Sequence, residues 1–279
     1  MQIKLTIFLI VILFTANIFT IEAQSSENVK VKLITSSIDI HPGESFWIAA
    51  EFEMLNNWHI YWRNSGDSGL PTTISWQLPE GFKVSKTFYP YPQILIEGNS
   101  ATYIYENKVI LFAEVTAPDK IERDSIVIKA KVNWLECKKA CLPGSADLSK
   151  TINIDNSKPQ DAPMNNFFVD QLKNIPIYKS DWEIYSRLYN SKVIILGLKP
   201  NWFDAADYQV FFYPYNDITF NHSADQNFKT NENGFELSVE LNNFRIADPA
   251  ELNGILVITE SWEKGKQRKS LELNSIINN

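Results

Sequence analysis

Residues 125–154 read SIVIKAKVNWLECKKACLPGSADLSKTINI. Apolar and polar residues alternate over 125–134 and again over 147–154, which is the period of a β-strand with one buried face. The only two cysteines of the chain, Cys137 and Cys141, lie between these runs. The stretch therefore predicts two strands with a cysteine pair in the segment that connects them.

The same alternation continues upstream in short runs. They are separated by turn signals such as His41-Pro42-Gly43 and Pro79-Glu80-Gly81. Strands are predicted over 29–40, 45–55, 58–62, 72–78 and 108–116. About seven short strands without a long amphipathic helix are typical of a β-sandwich.

The second half repeats this character after residues 155–166, which contain two prolines and few apolar residues and are predicted to be a linker. A short helix is predicted over 167–175. Strands are predicted over 182–189, 192–199, 208–213, 235–241, 255–262 and 269–273. The expected organisation is all-β: a first β-sandwich over 24–155, a linker and helix over 156–180, and a second β-sandwich over 181–279.

The N-terminus has the pattern of a secretory signal peptide. Lys4 precedes an apolar run over 5–14, and Ala23 offers a small residue for cleavage before Gln24. A retained membrane anchor is the alternative. The net charge of −7 and the pI of about 5.1 disfavour nucleic acid as a partner. After cleavage of residues 1–23, the mature chain is expected outside the cytoplasm, where disulfides persist. It is not expected to insert stably into a membrane.

The cysteine pair is the main candidate for covalent chemistry. Residues four apart in a strand are about 13 Å apart, so a C-x3-C pair can be bridged only in a turn or a helical turn. Pro143-Gly144 is expected to end that turn. Lys138 and Lys139 would favour a thiolate, and Glu136 would oppose them.

Three roles for the pair remain open. A structural disulfide that closes a loop of about five residues would contribute only about 2 kcal/mol in the chain-entropy model, which favours a redox role. Copper(I) is the metal that two soft thiolates would select. Zinc would need further ligands, and His41, His59 and His222 are scattered along the sequence. No metal site and no cofactor are therefore predicted.

Other catalytic motifs are absent from the sequence: it contains no G-x-S-x-G, no P-loop and no G-x-G-x-x-G. Two aromatic clusters stand out, at 58–71 and at 88–93. The first is interpreted as core and a structured turn. The second is interpreted as a stiff connection or as a cover for a neighbouring site.

Four stretches occur in an order that resembles a known family. They are WRNSGDSGLPTTISWQLPEGF (62–82), FYPYP (88–92), YIYENKVILFAEV (103–115) and VNWLECKKACLPGSADL (132–148). Together they resemble the N-terminal periplasmic domain of the DsbD and ScsB thiol-disulfide reductases. The C-x3-C spacing followed by proline is most similar to the ScsB branch. The stretches VFFYPYNDITFNHSADQNF (210–228) and PAELNGILVI (249–258) are similar to the second periplasmic β domain of that branch.

The resemblance implies immunoglobulin-like domains and a dithiol at Cys137 and Cys141 that passes electrons. Cys141 would form the mixed disulfide, and Cys137 would resolve it. A thioredoxin-like or membrane reductase would donate electrons to the pair, and oxidised periplasmic proteins would accept them. The cap loop of the family would correspond to residues 89–98, which begin with Tyr89, Pro90, Tyr91 and Pro92.

The sequence is expected to depart from the family, since no transmembrane or thioredoxin-like domain is found after the second β domain. Either a separate protein would then donate the electrons, or the protein would no longer work in that relay. Two other functions remain as alternatives. One is a β-sandwich adaptor with a structural disulfide. The other is a copper(I)-handling protein.

Overall fold

The computed structural model describes residues 26–157, 166–177, 181–201, 208–216, 218–260 and 267–278. The predicted signal peptide over 1–23 and the centre of the predicted linker lie outside these residues. Within the described part of the chain, no helix is long and apolar enough to cross a membrane.

The first half folds into two sheets that pack face to face. Its strands are β1 (Val29–Thr35), β2 (Asp39–Ile40), β3 (Ser45–Met54), β4 (His59–Gly66), β5 (Thr73–Gln77), β6 (Lys83–Val84), β7 (Gln93–Glu97), β8 (Ser100–Glu106), β9 (Lys108–Thr116), β10 (Ser125–Cys137) and β11 (Cys141–Ile154). One sheet has the order β1-β3-β9-β6. The other has the order β2-β11-β10-β4-β8-β7, with β5 also paired to β10. Phe52 of the first sheet meets Trp134 of the second at 5.9 Å between ring centroids, inside the shared core.

The second half begins with the short helix α1 (Asn166–Leu172) and continues with seven strands. They are β12 (Glu183–Tyr189), β13 (Lys192–Leu198), β14 (Tyr208–Pro214), β15 (Asn227–Asn231), β16 (Gly234–Glu240), β17 (Glu251–Glu260) and β18 (Gln267–Ile276). They form a sheet of order β12-β13-β16-β15 and a sheet of order β14-β17-β18. Residues of both sheets fill a second core, so this half is also a sandwich. The predicted all-β, immunoglobulin-like class is confirmed, as is the existence of the short helix.

The two halves are packed against each other. Tyr213 of β14 belongs to the core of the first half, and its ring lies 5.4 Å from the ring of Tyr103 and 6.1 Å from that of Trp62. Asn64 is buried and donates a hydrogen bond to the carbonyl of Pro214 at 2.8 Å. The second half therefore contributes side chains to the interior of the first.

Several predicted strand limits need correction. The single strand predicted over 29–40 is divided into β1 and β2, which lie in different sheets. The short strands β6, β7, β8 and β15 were not predicted. In β8 the run from Ala101 to Tyr105 is buried on both faces of its sheet, so the sequence lacks the alternation that marks a strand with one exposed face.

Candidate functional site

The cysteines close a hairpin. Strands β10 and β11 pair antiparallel with Cys137 directly opposite Cys141, and a disulfide joins the two residues across a Cα–Cα distance of 4.2 Å. Lys138, Lys139 and Ala140 form the connecting loop, in which the Lys138 amide donates to the Ala140 carbonyl at 3.3 Å. The connection is thus a three-residue hairpin loop and not a helical turn.

Pro143 and Gly144 do not end this turn, contrary to the prediction. They lie inside β11, opposite Leu135 and Trp134. Strand β2 pairs with β11 only at Asn153 and Ile154, far from the cysteines. In the described structure no strand pairs with this edge of β11 at Pro143, so the missing N–H of proline is tolerated there. Gly144 leaves room for the Trp134 indole, since a Cβ there would fall 2.3 Å from the Cε2 atom of Trp134.

The two sulfur-bearing residues differ in exposure. Cys137 is 3% exposed and lies in an apolar cluster with Tyr61 and Ile104, while Cys141 is exposed. Leu95 of β7 and Leu135 of β10 pack against this cluster. A partner thiol arriving from solvent therefore meets Cys141, and Cys137 remains shielded behind it.

Tyr61 holds the shielded sulfur. Its hydroxyl donates a hydrogen bond to Cys137 Sγ at 3.3 Å and lies 3.9 Å from Cys141 Sγ. Burial raises the pKa of Tyr61, so the phenol stays protonated and acts as a donor at neutral pH. A negative charge that develops on the Cys137 sulfur would therefore be stabilised by this hydrogen bond.

The position of Tyr61 follows from the strand register. His59 of β4 is paired with Cys137, and Tyr61 follows two residues later on the same face of the sheet. Gly69 lies against the ring with a φ of +90°, and a Cβ at that position would fall 2.2 Å from the Tyr61 Cε1 atom. The Thr72 amide donates to the Tyr61 carbonyl at 3.3 Å, which holds the end of the loop against β4.

His59 is the third side chain on this face. It is paired with Cys137 on one side and with Glu106 of β8 on the other, and it meets Tyr61 edge-on at 5.3 Å between ring centroids. It is 8% exposed. Burial lowers the pKa of His59 below its ordinary value, against the opposite influence of Glu106 and Glu97.

Sequence reasoning missed both Tyr61 and His59 as site residues. The signal that could have found them is the His-x-Tyr spacing inside a predicted strand, which places both rings on one face. The pairing of that strand with the cysteine strand could not be inferred from the spacing. The other two histidines lie elsewhere: His41 contacts the carbonyl of Asp155, and His222 contacts the Tyr103 hydroxyl.

The three residues predicted to tune the thiolate lie in two different places: two are in the hairpin loop, and one is on the inner face of the sheet. Lys138 and Lys139 are exposed in the loop, and Lys138 Nζ reaches the carbonyl of Asn56 at 3.4 Å. Glu136 is 1% exposed and points to the opposite face, since its neighbour Cys137 lies on the outer face. Its carboxylate accepts hydrogen bonds from Asn28 at 2.8 Å, from Trp134 Nε1 at 2.9 Å and from Ser26.

The four residues predicted for a cap loop have other contacts. The Tyr89 hydroxyl donates to the Thr72 carbonyl at 3.0 Å, and the Tyr105 hydroxyl donates to the Pro90 carbonyl. Tyr89 and Tyr91 both pack on the main core of the first half. Leu95, which lies in the same predicted loop over 89–98, packs against the apolar cluster around Cys137.

Residues 27–153 match the family model described as thiol:disulfide interchange protein DsbD, N-terminal. This part of the chain is a DsbD N-terminal domain. It contains both sandwich sheets of the first half and the whole cysteine hairpin. The domain therefore belongs to a family of thiol-disulfide interchange proteins. No curated protein sequence matches the chain.

The fold is also similar to that of solved structures. The N-terminal periplasmic domain of ScsB from Proteus mirabilis is 15% identical, with a TM-score of 0.60, over 91% of this chain and 95% of that chain. This likeness extends the shared fold into the second half. A conserved domain protein from Bacillus anthracis is 10% identical over 92% of this chain and 89% of that chain, and its TM-score of 0.28 is too low to support a structural argument.

Among the residues that the structure describes, no three His, Cys, Asp or Glu side chains are grouped in a way that could hold a metal ion. The site geometry is instead that of two bonded sulfurs with one hydrogen-bond donor.

Proposed function

We propose that this chain is a periplasmic thiol-disulfide interchange protein that acts through Cys137 and Cys141. The observation that carries the proposal is the asymmetry of the pair: Cys141 is exposed, and Cys137 is shielded and hydrogen-bonded to Tyr61. Membership of the first half in the DsbD N-terminal family supports the same reaction.

Reduction of the disulfide would start at the exposed sulfur. A donor thiolate attacks Cys141 Sγ, a bond forms between the two proteins, and the electron pair of the broken bond moves to Cys137 Sγ. Tyr61 donates its hydrogen bond to the leaving sulfur. Hydrogen bonds to charged groups are worth about 1.5–3 kcal/mol, so this contact would accelerate the exchange. The second donor thiolate then attacks the donor sulfur that is bonded to Cys141, and the electron pair of the broken bond moves to Cys141 Sγ, which releases the donor as a disulfide and the chain as a dithiol.

The reverse sequence would pass the electrons on. Cys141, as a thiolate, attacks the disulfide of an oxidised periplasmic protein, and Cys137 resolves the mixed disulfide. The proposed electron donor is a thioredoxin-like or membrane reductase protein. The signal-peptide pattern before Gln24 supports export, and the similar domain of ScsB is a periplasmic domain.

Trapping of covalent complexes tests the proposal. With Cys137→Ala, a mixed disulfide on Cys141 cannot be resolved, so complexes with periplasmic proteins should accumulate and disappear on reduction. The matched variant Cys141→Ala leaves only the shielded sulfur and should trap far less. Equal trapping by the two variants, or none by either, would contradict the proposal.

The two alternatives predict different results. An adaptor with a structural disulfide should keep its cellular role when both cysteines are replaced by serine. A copper(I)-handling protein should bind one copper ion per reduced chain more tightly than glutathione does. Thiol exchange requires loss of the cellular role in the double serine variant, even with copper supplied.

A further inference from the structure

His59 has a buried, titratable side chain beside the disulfide, and this side chain has no role in the exchange steps described above. It is paired in register with Cys137, and directly paired residues of an antiparallel sheet have Cβ atoms about 4.5–5.5 Å apart on the same face. Its ring contacts the ring of Tyr61, whose hydroxyl bonds to Cys137 Sγ. His59, Tyr61 and Cys137 therefore form one cluster on the outer face of the sheet.

The chemistry of this cluster leaves one step without a proton acceptor. When Cys137 resolves a mixed disulfide, it must attack as a thiolate, although thiols in apolar surroundings ionise less readily than exposed ones. Cys137 is 3% exposed, so bulk water reaches it poorly. A base inside the cluster would remove this obstacle.

The neighbouring groups differ in their ability to act as that base. Tyr61 is protonated and donates its hydrogen to the sulfur, and Glu136 is on the other face of the sheet with its oxygens already hydrogen-bonded. Lys138 is a cation in the loop. His59 is neutral near pH 7 because burial lowers its pKa.

Acidic groups on the adjacent strands favour the charged form that His59 would acquire. Glu106 of β8 is paired directly with His59, and Glu97 of β7 also acts on it electrostatically. An imidazolium formed at His59 would therefore be stabilised by two carboxylates. The order along the sheet is a sulfur on one side, an imidazole in the middle and a carboxylate on the other side.

We propose that His59 is the base that accepts the proton of the Cys137 thiol when Cys137 resolves a mixed disulfide on Cys141. The inference rests on the proposed exchange function. The proton moves from Cys137 Sγ to the imidazole, and the sulfur electron pair forms the bond to Cys141 Sγ. The bond between Cys141 and the partner sulfur breaks, and the partner leaves as a thiolate that carries the electron pair.

Isolation of the resolving step tests this role. The reduced protein is mixed with the aromatic disulfide of thionitrobenzoate, which releases one coloured thiolate when Cys141 is modified and a second when Cys137 resolves the mixed disulfide. With His59→Gln the second release should slow by about 10²-fold at pH 7, the lower end of typical general-base contributions. It should also become first-order in hydroxide, while the first release keeps its rate within about twofold.

His41→Gln is the matched control, since His41 contacts the carbonyl of Asp155 and not the cysteine cluster. It should keep both rates and both pH profiles. A second release in His59→Gln with the wild-type rate and pH profile would overturn the role of His59. Failure of the wild-type protein to give any first release would instead contradict the proposed exchange function.

A measurement on the unsubstituted protein covers the case in which His59→Gln does not fold. The imidazole of His59 is titrated by NMR in the oxidised and reduced protein. Its pKa should change on reduction because the Cys137 thiol can then donate a hydrogen bond to the imidazole, which the disulfide sulfur cannot do. Identical titration curves in the two states would overturn the proposal.

Discussion

The hydroxyl of Tyr61 donates a hydrogen bond to the Sγ atom of Cys137 across 76 residues of sequence, at a distance of 3.3 Å. It connects the two central strands of the cysteine sheet, and under the proposed exchange Cys137 Sγ would be the sulfur that leaves when the disulfide opens. The chemical asymmetry of the pair thus has two causes: Cys137 is buried, and the Tyr61 hydroxyl lies closer to its Sγ atom (3.3 Å) than to that of Cys141 (3.9 Å).

Removal of this donor should slow reduction of the disulfide. In Tyr61→Phe the ring keeps its packing, but the charge that develops on Cys137 Sγ loses its hydrogen bond. We expect reduction by dithiothreitol at pH 7 to slow by about tenfold, which corresponds to about 1.4 kcal/mol. Tyr185→Phe removes an exposed hydroxyl bonded to Glu183 and should leave the rate unchanged. Equal rates in all three proteins would remove Tyr61 from the mechanism.

The close approach of Gly69 to Tyr61 gives a second prediction. Gly69→Ala adds a Cβ that would fall 2.2 Å from the Tyr61 ring, so the ring or the loop must shift. Gly98→Ala is a matched control, because Gly98 also has a positive φ but has open space around its Cβ position. Both variants should lose about 1 kcal/mol from backbone strain. Only Gly69→Ala should also slow reduction of the disulfide, and a similar slowing in Gly98→Ala would show that general loosening is the cause.

Glu136 should matter for stability and little for exchange. Its buried carboxylate accepts hydrogen bonds from Asn28, Trp134 and Ser26, so Glu136→Gln turns an amide donor towards groups that are donors themselves. Urea unfolding should show a loss of about 1–3 kcal/mol. The exposed Glu122→Gln, which loses only a contact to Lys120, should show almost none. A change of more than about tenfold in the reduction rate of Glu136→Gln would instead support a tuning role for this carboxylate, since tenfold corresponds to about one pKa unit.

The stability of the oxidised protein should fall in mild acid because of His59. Burial lowers the pKa of His59 in the folded state, so the unfolded chain binds more protons between the folded and unfolded pKa values. The contribution of neutral His59 to the free energy of unfolding is complete above about pH 6.5, which is the pKa of histidine in the unfolded chain. It is lost as the pH falls through the lower pKa of His59 in the folded state. Urea unfolding of wild type and His59→Gln between pH 5 and 8 should show a smaller acid loss in the variant. Parallel curves would mean that His59 is not held neutral by the fold.

The fold was more accessible to sequence reasoning than the site. The alternation of apolar and polar residues from Ser125 to Trp134 predicts β10 correctly, because that strand has one face in the core and one face in water. The same rule failed for Ala101–Tyr105, which is buried on both faces. The cysteines were visible as a pair, but their neighbours depend on which strands lie side by side. Local spacing carries no such information, so Tyr61 and His59 could be placed only by the register of β4 with β10 and β8.

The disulfide lies at the tip of a hairpin that is held together without it. Backbone pairing of β10 with β11 extends from Ser125 opposite Asn153 to Glu136 opposite Leu142, next to the cysteines. Opening the sulfur bond thus leaves the outline of the domain almost unchanged, and a partner meets the same surface before and after electron transfer. Under the proposed exchange, the direction of electron transfer would then depend on the partners, because the protein that holds its electrons less tightly would give them up. The proposed function would therefore allow the same domain to pass electrons in either direction.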